Sequence, residues 1–315
     1  MNLIYMAKPI YGGWVNFTAH LSLINNSNIY KIGKRSEKKK RNFGFELEYQ
    51  NLTIDDIIKL DDIMIVALDK HYYQFLKYFK PRTKLVIHDP TEIKNKDNPL
   101  IKDELLKTFD IITIRKTVQQ FIKETYNIES TFIYHPFYKY ERPIQEYIDN
   151  FAISISRIDF DKNIDIILKA NKLLSENKCI KIYGKENRLY VHHKLKILDF
   201  ETYWEGKYSK ELQINKDGKD LLKNTKYVID LSTIKNDGGG TQYTFLDAIY
   251  NDCILILHEN WINKGDLFIN GYNCISVKNE QDLSNILSNE LPEEDLNKII
   301  VNSKKILDLC HLCFI

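Results

Sequence analysis

A run of three glycines before an amphipathic stretch is the motif that most clearly suggests ligand binding. Residues 238–240 are glycines, and the segment from Thr241 to Asp247 has the pattern of a helix start. The first N–H groups of a helix have no partner within it and favour anions. Asp247 lies one turn after Tyr243, where a carboxylate can accept two hydrogen bonds from a ribose diol. The motif predicts a nucleotide site made of Gly239, Gly240, Thr241, Tyr243, Thr244 and Asp247.

Two basic side chains follow a strand-like segment in the second half of the sequence. Arg157 comes just after an apolar run, and Lys162 precedes the next helical stretch. An Arg fork and a Lys point charge can together hold two oxygens of a diphosphate. Asp159 and Asp161 between them have the D-x-D form found in some metal sites. Their basic neighbours favour roles in the loop and at the helix start instead.

His88 and Asp89 directly follow an apolar strand and precede a proline. Catalytic side chains in open parallel sheets collect at the carboxyl ends of strands. An imidazole and a carboxylate in this place can take up a proton from a reacting hydroxyl. An ordinary turn is the alternative, because Asp before Pro favours one. We identify both residues as candidate catalytic groups.

Two further features suggest contact with anions. Gly12 and Gly13 follow the first strand and open a helix, so the amides of this loop can face a phosphate, although paired glycines are common in turns. A dense basic cluster comes next in the chain. It consists of Lys34, Arg35, Lys38, Lys39, Lys40 and Arg41. Such a cluster is most often a solvated loop, and the alternative is contact with a nucleic-acid backbone.

Short apolar runs alternate with helix-length amphipathic stretches along the whole chain. This order predicts an α/β fold in which parallel sheets are covered by helices on both faces. Because the order begins again near residue 149, we expect two doubly wound, Rossmann-like domains over 1–148 and 149–295. Residues 296–315 are expected to form a helix that can pack back on the first domain. A ligand would lie in the cleft between the domains.

Composition excludes several classes of protein. With 315 residues, 43% of them hydrophobic, the chain can bury sizeable cores. Its apolar runs are far shorter than the roughly 20 residues of a membrane span, and its N-terminus lacks a signal-peptide pattern. Five cysteines form no even framework and are expected to be reduced thiols. We expect a soluble, cytoplasmic protein, most simply a monomer, whose net charge of +2 favours no partner.

Together these motifs resemble the GT-B glycosyltransferases. The family order is a basic pair such as Arg157 and Lys162, a glycine after the next strand, here Gly184, and an acid in a helix opened by a glycine-rich loop. A closer resemblance is to the phage DNA α-glucosyltransferases, which modify hydroxymethylated pyrimidines in duplex DNA. Three fragments carry it: Tyr5 to Lys8 before the glycine turn, His88-Asp89, and Tyr243 to Asp247.

The resemblance implies a GT-B fold whose first domain binds the acceptor and whose second binds a nucleotide sugar, UDP-glucose by analogy. It implies transfer of glucose to a hydroxyl with retention of configuration and without a metal or other cofactor. His88 and Asp89 would then be the catalytic pair and Asp247 the ribose ligand. The diphosphate and other donor contacts would come from Gly12, Gly13, Arg157, Lys162 and Gly184, and the basic cluster would contact DNA.

One departure from the family pattern concerns the transferred sugar. The family has two glutamates eight positions apart, whereas this chain has Gly239 and Asp247 there. The contact that the first glutamate makes to the sugar is therefore missing or moved.

Other functions remain as alternatives. The acceptor can be a glycan or protein hydroxyl instead of DNA. A nicotinamide-dependent oxidoreductase would need a G-x-G-x-x-G loop that this chain lacks. A non-enzymatic nucleic-acid-binding protein would leave Arg157 and Lys162 unexplained.

Overall fold

The computed structural model describes most of the chain as two compact units. The described residues are 1–8, 12–32, 45, 47–95, 98–140, 146–208, 217–233, 241–264 and 267–312. Within them, the first unit comprises residues 1–138 and 309–312, and the second comprises the described parts of 139–308. No helix in these ranges combines the length and the apolar character that a membrane span needs.

The first unit is built on a parallel sheet with the strand order β3-β2-β1-β4-β5-β8-β9. Two very short strands, β6 and β7, form a separate antiparallel pair. The strands are β1 (Asn2–Met6), β2 (Asn28–Ile32), β3 (Gln50–Leu52), β4 (Ile63–Leu68), β5 (Lys84–Ile87), β6 (Lys94–Asn95), β7 (Asn98–Pro99), β8 (Asp110–Thr113) and β9 (Thr131–Phe132). The order reverses between β1 and β4, and such a switch point is where doubly wound sheets bind ligands.

Apolar sequence patterns account for the core of this unit. Strand β4 reads Ile-Met-Ile-Val-Ala-Leu and is buried along nearly its whole length, as expected for a strand covered on both faces. Helix α4 buries Val118, Ile122 and Tyr126, which are spaced one turn apart, and ends at Asn127 in the left-handed conformation. The helices are α1 (Gly13–Asn25), α2 (Ile54–Ile57), α3 (Asp103–Leu106) and α4 (Lys116–Tyr126), with 3-10 turns at Tyr73–Tyr78 and Pro90–Glu92.

The second unit contains a parallel sheet with the strand order β12-β11-β10-β13-β14-β15. Counted within the unit, this is the order 3-2-1-4-5-6 of Rossmann-type sheets, with the switch point between β10 and β13. The strands are β10 (Asn150–Ile155), β11 (Ile180–Tyr183), β12 (Trp204–Gly206), β13 (Thr225–Asp230), β14 (Ile254–His258) and β15 (Ile275–Val277). The two doubly wound parallel sheets predicted from the sequence are thereby confirmed.

Helices cover this second sheet and complete its core. They are α5 (Ile164–Asn171), α6 (Arg188–Tyr190), α7 (Phe200–Tyr203), α8 (Tyr243–Tyr250), α9 (Glu259–Lys264), α10 (Glu280–Ser288) and α11 (Glu293–Leu312). A π-helical turn at Val191–Leu195 and 3-10 turns at Glu176–Lys178 and Lys196–Leu198 complete the helical segments. Buried residues from α5, α10 and α11 pack with β10, β11 and β13 in one apolar cluster. The last turn of α11 belongs to the first unit, where the Phe137 N–H donates to the Cys310 carbonyl at 3.3 Å.

Two backbone segments approach each other closely at the carboxyl ends of the strands of the second sheet, beside its switch point. Gly184 directly follows β11, and a Cβ atom placed on it would lie 1.8 Å from the Ser156 carbonyl oxygen. The Gly184 N–H donates to the Gly206 carbonyl at 2.8 Å, so the backbone there is also held from the other side. Only a residue without a side chain fits this position.

We expect Gly184→Ala to lower the free energy of unfolding by at least about 2 kcal/mol, because backbone atoms would have to move to admit the methyl group. Denaturant unfolding measures the change. Gly13→Ala is the matched control, since nothing lies within 4 Å of a Cβ at that helix start. Its effect should stay within about 1 kcal/mol. Equal stability of the two variants would contradict the close approach.

Candidate functional site

A buried ion pair lies at the switch point of the second sheet. Lys162 follows β10, and its Nζ lies 3.6 Å from Oδ2 of Asp230, the last residue of β13. The two side chains are 9% and 2% exposed. The same ammonium donates to Oε1 of Gln242, which precedes α8, at 3.3 Å. The segment after β10, the end of β13 and the residue before α8 therefore meet at the Lys162 ammonium.

Ser232 closes this arrangement into a ring. Its N–H donates to Asp230 Oδ1 at 2.9 Å, and its hydroxyl donates to the same oxygen. The Gln242 amide donates back to the Ser232 hydroxyl oxygen at 3.2 Å. The indole N–H of Trp261 donates to the Ser232 carbonyl oxygen at 3.0 Å. Lys162 is therefore held in a connected polar network, in which Asp230 Oδ2 makes no hydrogen bond but faces the ammonium at 3.6 Å.

Arg157 stands beside this ring with its guanidinium in solvent. Its side chain is 55% exposed, and Nη1 and Nη2 donate to Asp159 and Asp161 at 3.0 and 3.2 Å. The two acids of the D-x-D segment are thus partners of an arginine. Within the described ranges, no group of three or more His, Cys, Asp or Glu side chains is arranged to hold a metal ion.

The helix that follows the glycine-rich stretch presents a buried acid. Asp247 is 5% exposed, and its Oδ1 accepts a hydrogen bond from the Tyr140 hydroxyl at 3.1 Å. Thr241 and Tyr243 are buried as well, whereas Thr244 is half-buried. The network and the tyrosine contact stabilise the start of α8 in one place, as a ligand site at a helix N-terminus requires.

A second tyrosine lies close to both acids of this region. The Tyr208 hydroxyl donates to the Ile155 carbonyl at 3.3 Å. Burial, together with the charges of Asp230 and Asp247, raises the pKa of Tyr208 well above its usual value. The phenol therefore stays neutral and serves as a hydrogen-bond donor. Sequence reasoning overlooked Tyr140 and Tyr208 because each is distant in the chain from its partners.

Several predicted site residues lie outside the described part of the chain. They are Gly239, Gly240 and the basic cluster of Lys34, Arg35, Lys38, Lys39, Lys40 and Arg41. Of the remaining predicted donor residues, those in the second unit collect at the switch point, with Gly184 directly after β11. Gly12 and Gly13 belong to the first unit, where Gly12 has a positive φ of 86° and the Gly12 carbonyl accepts from Val15 at the start of α1.

In the first unit, His88 is a buried, neutral imidazole. It follows β5, and its Nε2 lies 2.8 Å from the carbonyl oxygen of Val66 in β4. A carbonyl only accepts, so Nε2 carries the proton. The ring packs edge-on against Phe17 with centroids 4.7 Å apart. Burial lowers the pKa of His88 to about 4, so the histidine is uncharged at neutral pH.

Asp89 is both a turn residue and an accessible charge. Its Oδ1 accepts from the N–H and the hydroxyl of Thr91 at 2.7 and 2.6 Å, which caps a short 3-10 turn. Its Oδ2 lies 4.0 Å from the Arg115 guanidinium, and the Asp89 side chain is 25% exposed. The turn and the candidate catalytic role are therefore compatible, because they use different oxygens.

Four more side chains that the sequence analysis did not single out lie around this pair, namely Trp14, Glu92, Arg115 and His135. Glu92 is buried and accepts hydrogen bonds from the His88 N–H at 2.9 Å and from the Trp14 indole at 2.8 Å. Burial raises the pKa of Glu92 to about 8. His135 follows β9, and burial and the nearby Arg115 hold its pKa well below the usual value. These residues come from the carboxyl ends of β1, β5, β8 and β9. The proximity of Glu92 to His88-Asp89 in the sequence was the one available signal.

Comparison with protein-family models gives no match, and comparison with curated protein sequences gives none either. Solved structures do match over almost the whole chain. The Anabaena protein HepE in complex with UDP has a TM-score of 0.64 at 12% identity, covering 100% of this chain and 96% of HepE. A glycosyltransferase from Rickettsia africae has a TM-score of 0.64 at 13% identity, covering 98% and 95%.

A third structure is an α-glucosyltransferase in complex with UDP and a 13-mer DNA containing an HMU base. Its TM-score is 0.66 at 14% identity, covering 99% of this chain and 96% of the other. These neighbours are built as two Rossmann-like domains of the GT-B type. The chain has the GT-B fold. The GT-B architecture expected from the motifs is confirmed, and the Lys162 ring stands at the switch point of its second Rossmann-like unit.

Breaking the ion pair of this GT-B chain should be costly. Lys162→Met leaves the Asp230 charge buried without its cation, and we expect a loss of about 3 kcal/mol in the free energy of unfolding. Adding Asp230→Asn to the first variant should recover part of that loss.

Lys169→Met is the control, since the Lys169–Asp165 pair is half-exposed and should be worth less than about 1 kcal/mol. Urea unfolding gives the free energies of unfolding of the wild type and the three variants. A Lys162→Met variant as stable as the control would contradict a stabilising buried pair.

Proposed function

We propose that this protein is a glycosyltransferase that takes its sugar from a nucleotide diphosphate, with UDP-glucose as the first donor to test. The observation that carries the proposal is the fixed Lys162, with Arg157 beside it, at the switch point of the second Rossmann-like unit. HepE has the same fold and has been solved with UDP and with UDP-glucose. The likeness in fold supports the proposal and the side chains give it a mechanism.

In this proposal the second unit binds the donor. Lys162 supplies a fixed positive charge and Arg157 a mobile fork for the diphosphate oxygens. The start of α8 adds backbone N–H groups, and Asp247 accepts from the ribose. Arginine, lysine and helix-terminal charges balance the leaving diphosphate, so turnover is expected to persist in EDTA. A strict need for Mn²⁺ or Mg²⁺ would refute this part of the proposal.

The chemistry is assigned to the first unit. The acceptor hydroxyl oxygen bonds to the anomeric carbon while the bond to the β-phosphate breaks, and the nucleotide leaves with that electron pair. Asp89 takes up the hydroxyl proton, since its Oδ2 is not used in capping the turn. Neutral His88 contributes a hydrogen-bonding ring rather than a charge. Attack on the face of the leaving group gives retention of configuration.

For the acceptor we propose a hydroxymethylated pyrimidine in duplex DNA, with a glycan or protein hydroxyl as the alternative. Two observations support DNA. The first 150 residues carry 23 Lys and Arg against 19 Asp and Glu, with the basic cluster of residues 34–41 among them. One neighbour of similar fold is an α-glucosyltransferase in complex with DNA that contains an HMU base. We also propose that the protein is a cytoplasmic monomer.

Two substitutions should separate donor binding from chemistry. Arg157→Ala removes the charged fork that this proposal assigns to the donor diphosphate, and we expect UDP affinity to fall by about 10- to 100-fold, the range of one charged hydrogen bond. Asp89→Asn should leave UDP affinity unchanged and reduce turnover by about 100-fold. Calorimetric titration with UDP and a sugar-transfer assay provide the two readouts.

NAD and GDP serve as ligand controls in a thermal-shift panel with UDP and UDP-glucose. Stabilisation by NAD alone would favour an oxidoreductase. Wild-type turnover in Asp89→Asn would place the catalytic centre elsewhere.

A DNA acceptor makes a separate prediction. Replacing Lys38, Lys39, Lys40 and Arg41 with glutamine should weaken binding to hydroxymethylated duplex DNA and flatten its dependence on salt, because fewer counterions are released. Hydrolysis of the donor should not change. Filter binding between about 50 and 200 mM salt measures the slope. Absence of DNA binding by the wild-type protein at low salt would rule out the DNA acceptor and leave a glycan or protein hydroxyl.

A further inference from the structure

Glu92 is a buried carboxyl that joins two loops at the carboxyl edge of the first sheet. Glu92 is 6% exposed. Oε2 accepts from the His88 N–H at 2.9 Å, and Oε1 accepts from the Trp14 Nε1–H at 2.8 Å. Trp14 belongs to the first turn of α1, just after β1, whereas His88 follows β5. One side chain thus connects loops that are separated in the sheet by β4.

Further contacts hold the same assembly together. The His88 ring lies edge-on to the Trp14 indole with centroids 6.4 Å apart, and its Nε2 donates to the Val66 carbonyl. The Glu92 carbonyl accepts from the Tyr73 hydroxyl at 2.6 Å. His88 is therefore held by its main-chain N–H and by its ring, and Asp89 is the next residue. A displacement of His88 moves the Asp89 carboxylate with it.

We propose that Glu92 is a positioning residue for Asp89. By clamping the His88 main chain to the Trp14 indole, it sets where the Asp89 Oδ2 stands relative to Arg115. This inference rests on the proposed function, because it concerns a step of the transfer reaction. Glu92 itself is too deeply buried to touch the acceptor and acts through its neighbours.

The charges around Glu92 give the clamp a pH dependence. Burial raises the pKa of Glu92 to about 8, opposed by the N–H bonds from His88 and Trp14. The carboxylate of Asp89 raises the pKa further, and the guanidinium of Arg115 lowers it. Other titratable groups packed here are His88 and His135, both neutral through burial, and the Tyr73 phenol, whose pKa is raised to about 12. Glu92 is thus the group of this assembly that ionises near pH 8.

The linkage to stability has a definite sign. The folded-state pKa of Glu92 is raised above the ordinary 4.5 of a glutamate, so the folded protein binds this proton more tightly than the unfolded chain. The resulting stabilisation is complete below pH 4.5 and is lost as the pH rises through about 8. Glu92→Gln has no such proton. The melting temperature of Glu92→Gln relative to wild type should therefore rise steadily across this window.

The kinetic test uses two variants that break the clamp from opposite ends. Glu92→Gln replaces one acceptor oxygen by an NH₂ group, and Trp14→Phe keeps an aromatic ring but loses the indole donor. Each should lower kcat for sugar transfer by at least tenfold, leave the donor KM within twofold, and add little to the other in the double variant. The kcat of the wild type should show an inflection near pH 8 that Glu92→Gln lacks. Glu104→Gln, on the exposed side of α3 in the same unit, is the control.

UDP titration of every variant distinguishes the possible failures. UDP binding and wild-type transfer must be present for the test to bear on Glu92, and their absence in the wild type refutes the proposed function itself. With both present, variants that keep kcat within twofold of wild type overturn the proposal. An inflection near pH 8 that persists in Glu92→Gln also overturns it. A variant that loses both UDP binding and cooperative melting has a folding defect, and that result would refute a role confined to positioning.

Discussion

Parallel pairing of the strands is the constraint on which both units depend. When all strands run the same way, their carboxyl ends lie on one edge, and each loop at that edge must return through a helix or turn on a face of the sheet. Side chains far apart in sequence are thereby brought together. Lys162 meets Asp230 across 68 residues in this way, and Glu92 meets Trp14 across 78. The polar groups gathered there are then shielded by the apolar strands beneath them.

The two units treat buried charge differently. In the second, a lysine and an aspartate form a buried ion pair, to which a serine and a glutamine add hydrogen bonds. In the first, burial pushes the pKa values of His88 and Glu92 in opposite directions, and both shifts favour the uncharged forms. Asp89 and Arg115 keep partial contact with water. A fixed cation suits the binding of an anionic ligand, whereas a partly exposed carboxylate beside neutral buried groups suits proton transfer.

The sequence predicts the long apolar strands and much less of the polar network. Strands β4 and β14 are near-continuous apolar runs, a pattern that indicates burial on both faces. Strand β3, Gln-Asn-Leu, and edge strand β12, Trp-Glu-Gly, carry no such pattern, because pairing with a neighbour rather than burial defines them. Lys162 was found from its place after a strand. Its partner Asp230 was not, since nothing local marks which acid the fold will bring within reach of a lysine.

The two aspartates that hold Arg157 have a consequence for selectivity. An anion that takes over the two N–H groups held by Asp159 and Asp161 must displace these carboxylates, which are tethered two and four residues away and therefore present at high effective concentration. A small monovalent anion offers too little in exchange. A ligand with several negatively charged oxygens, anchored elsewhere as well, can compete. Competition from the two carboxylates therefore favours multivalent ligands over simple anions at this guanidinium.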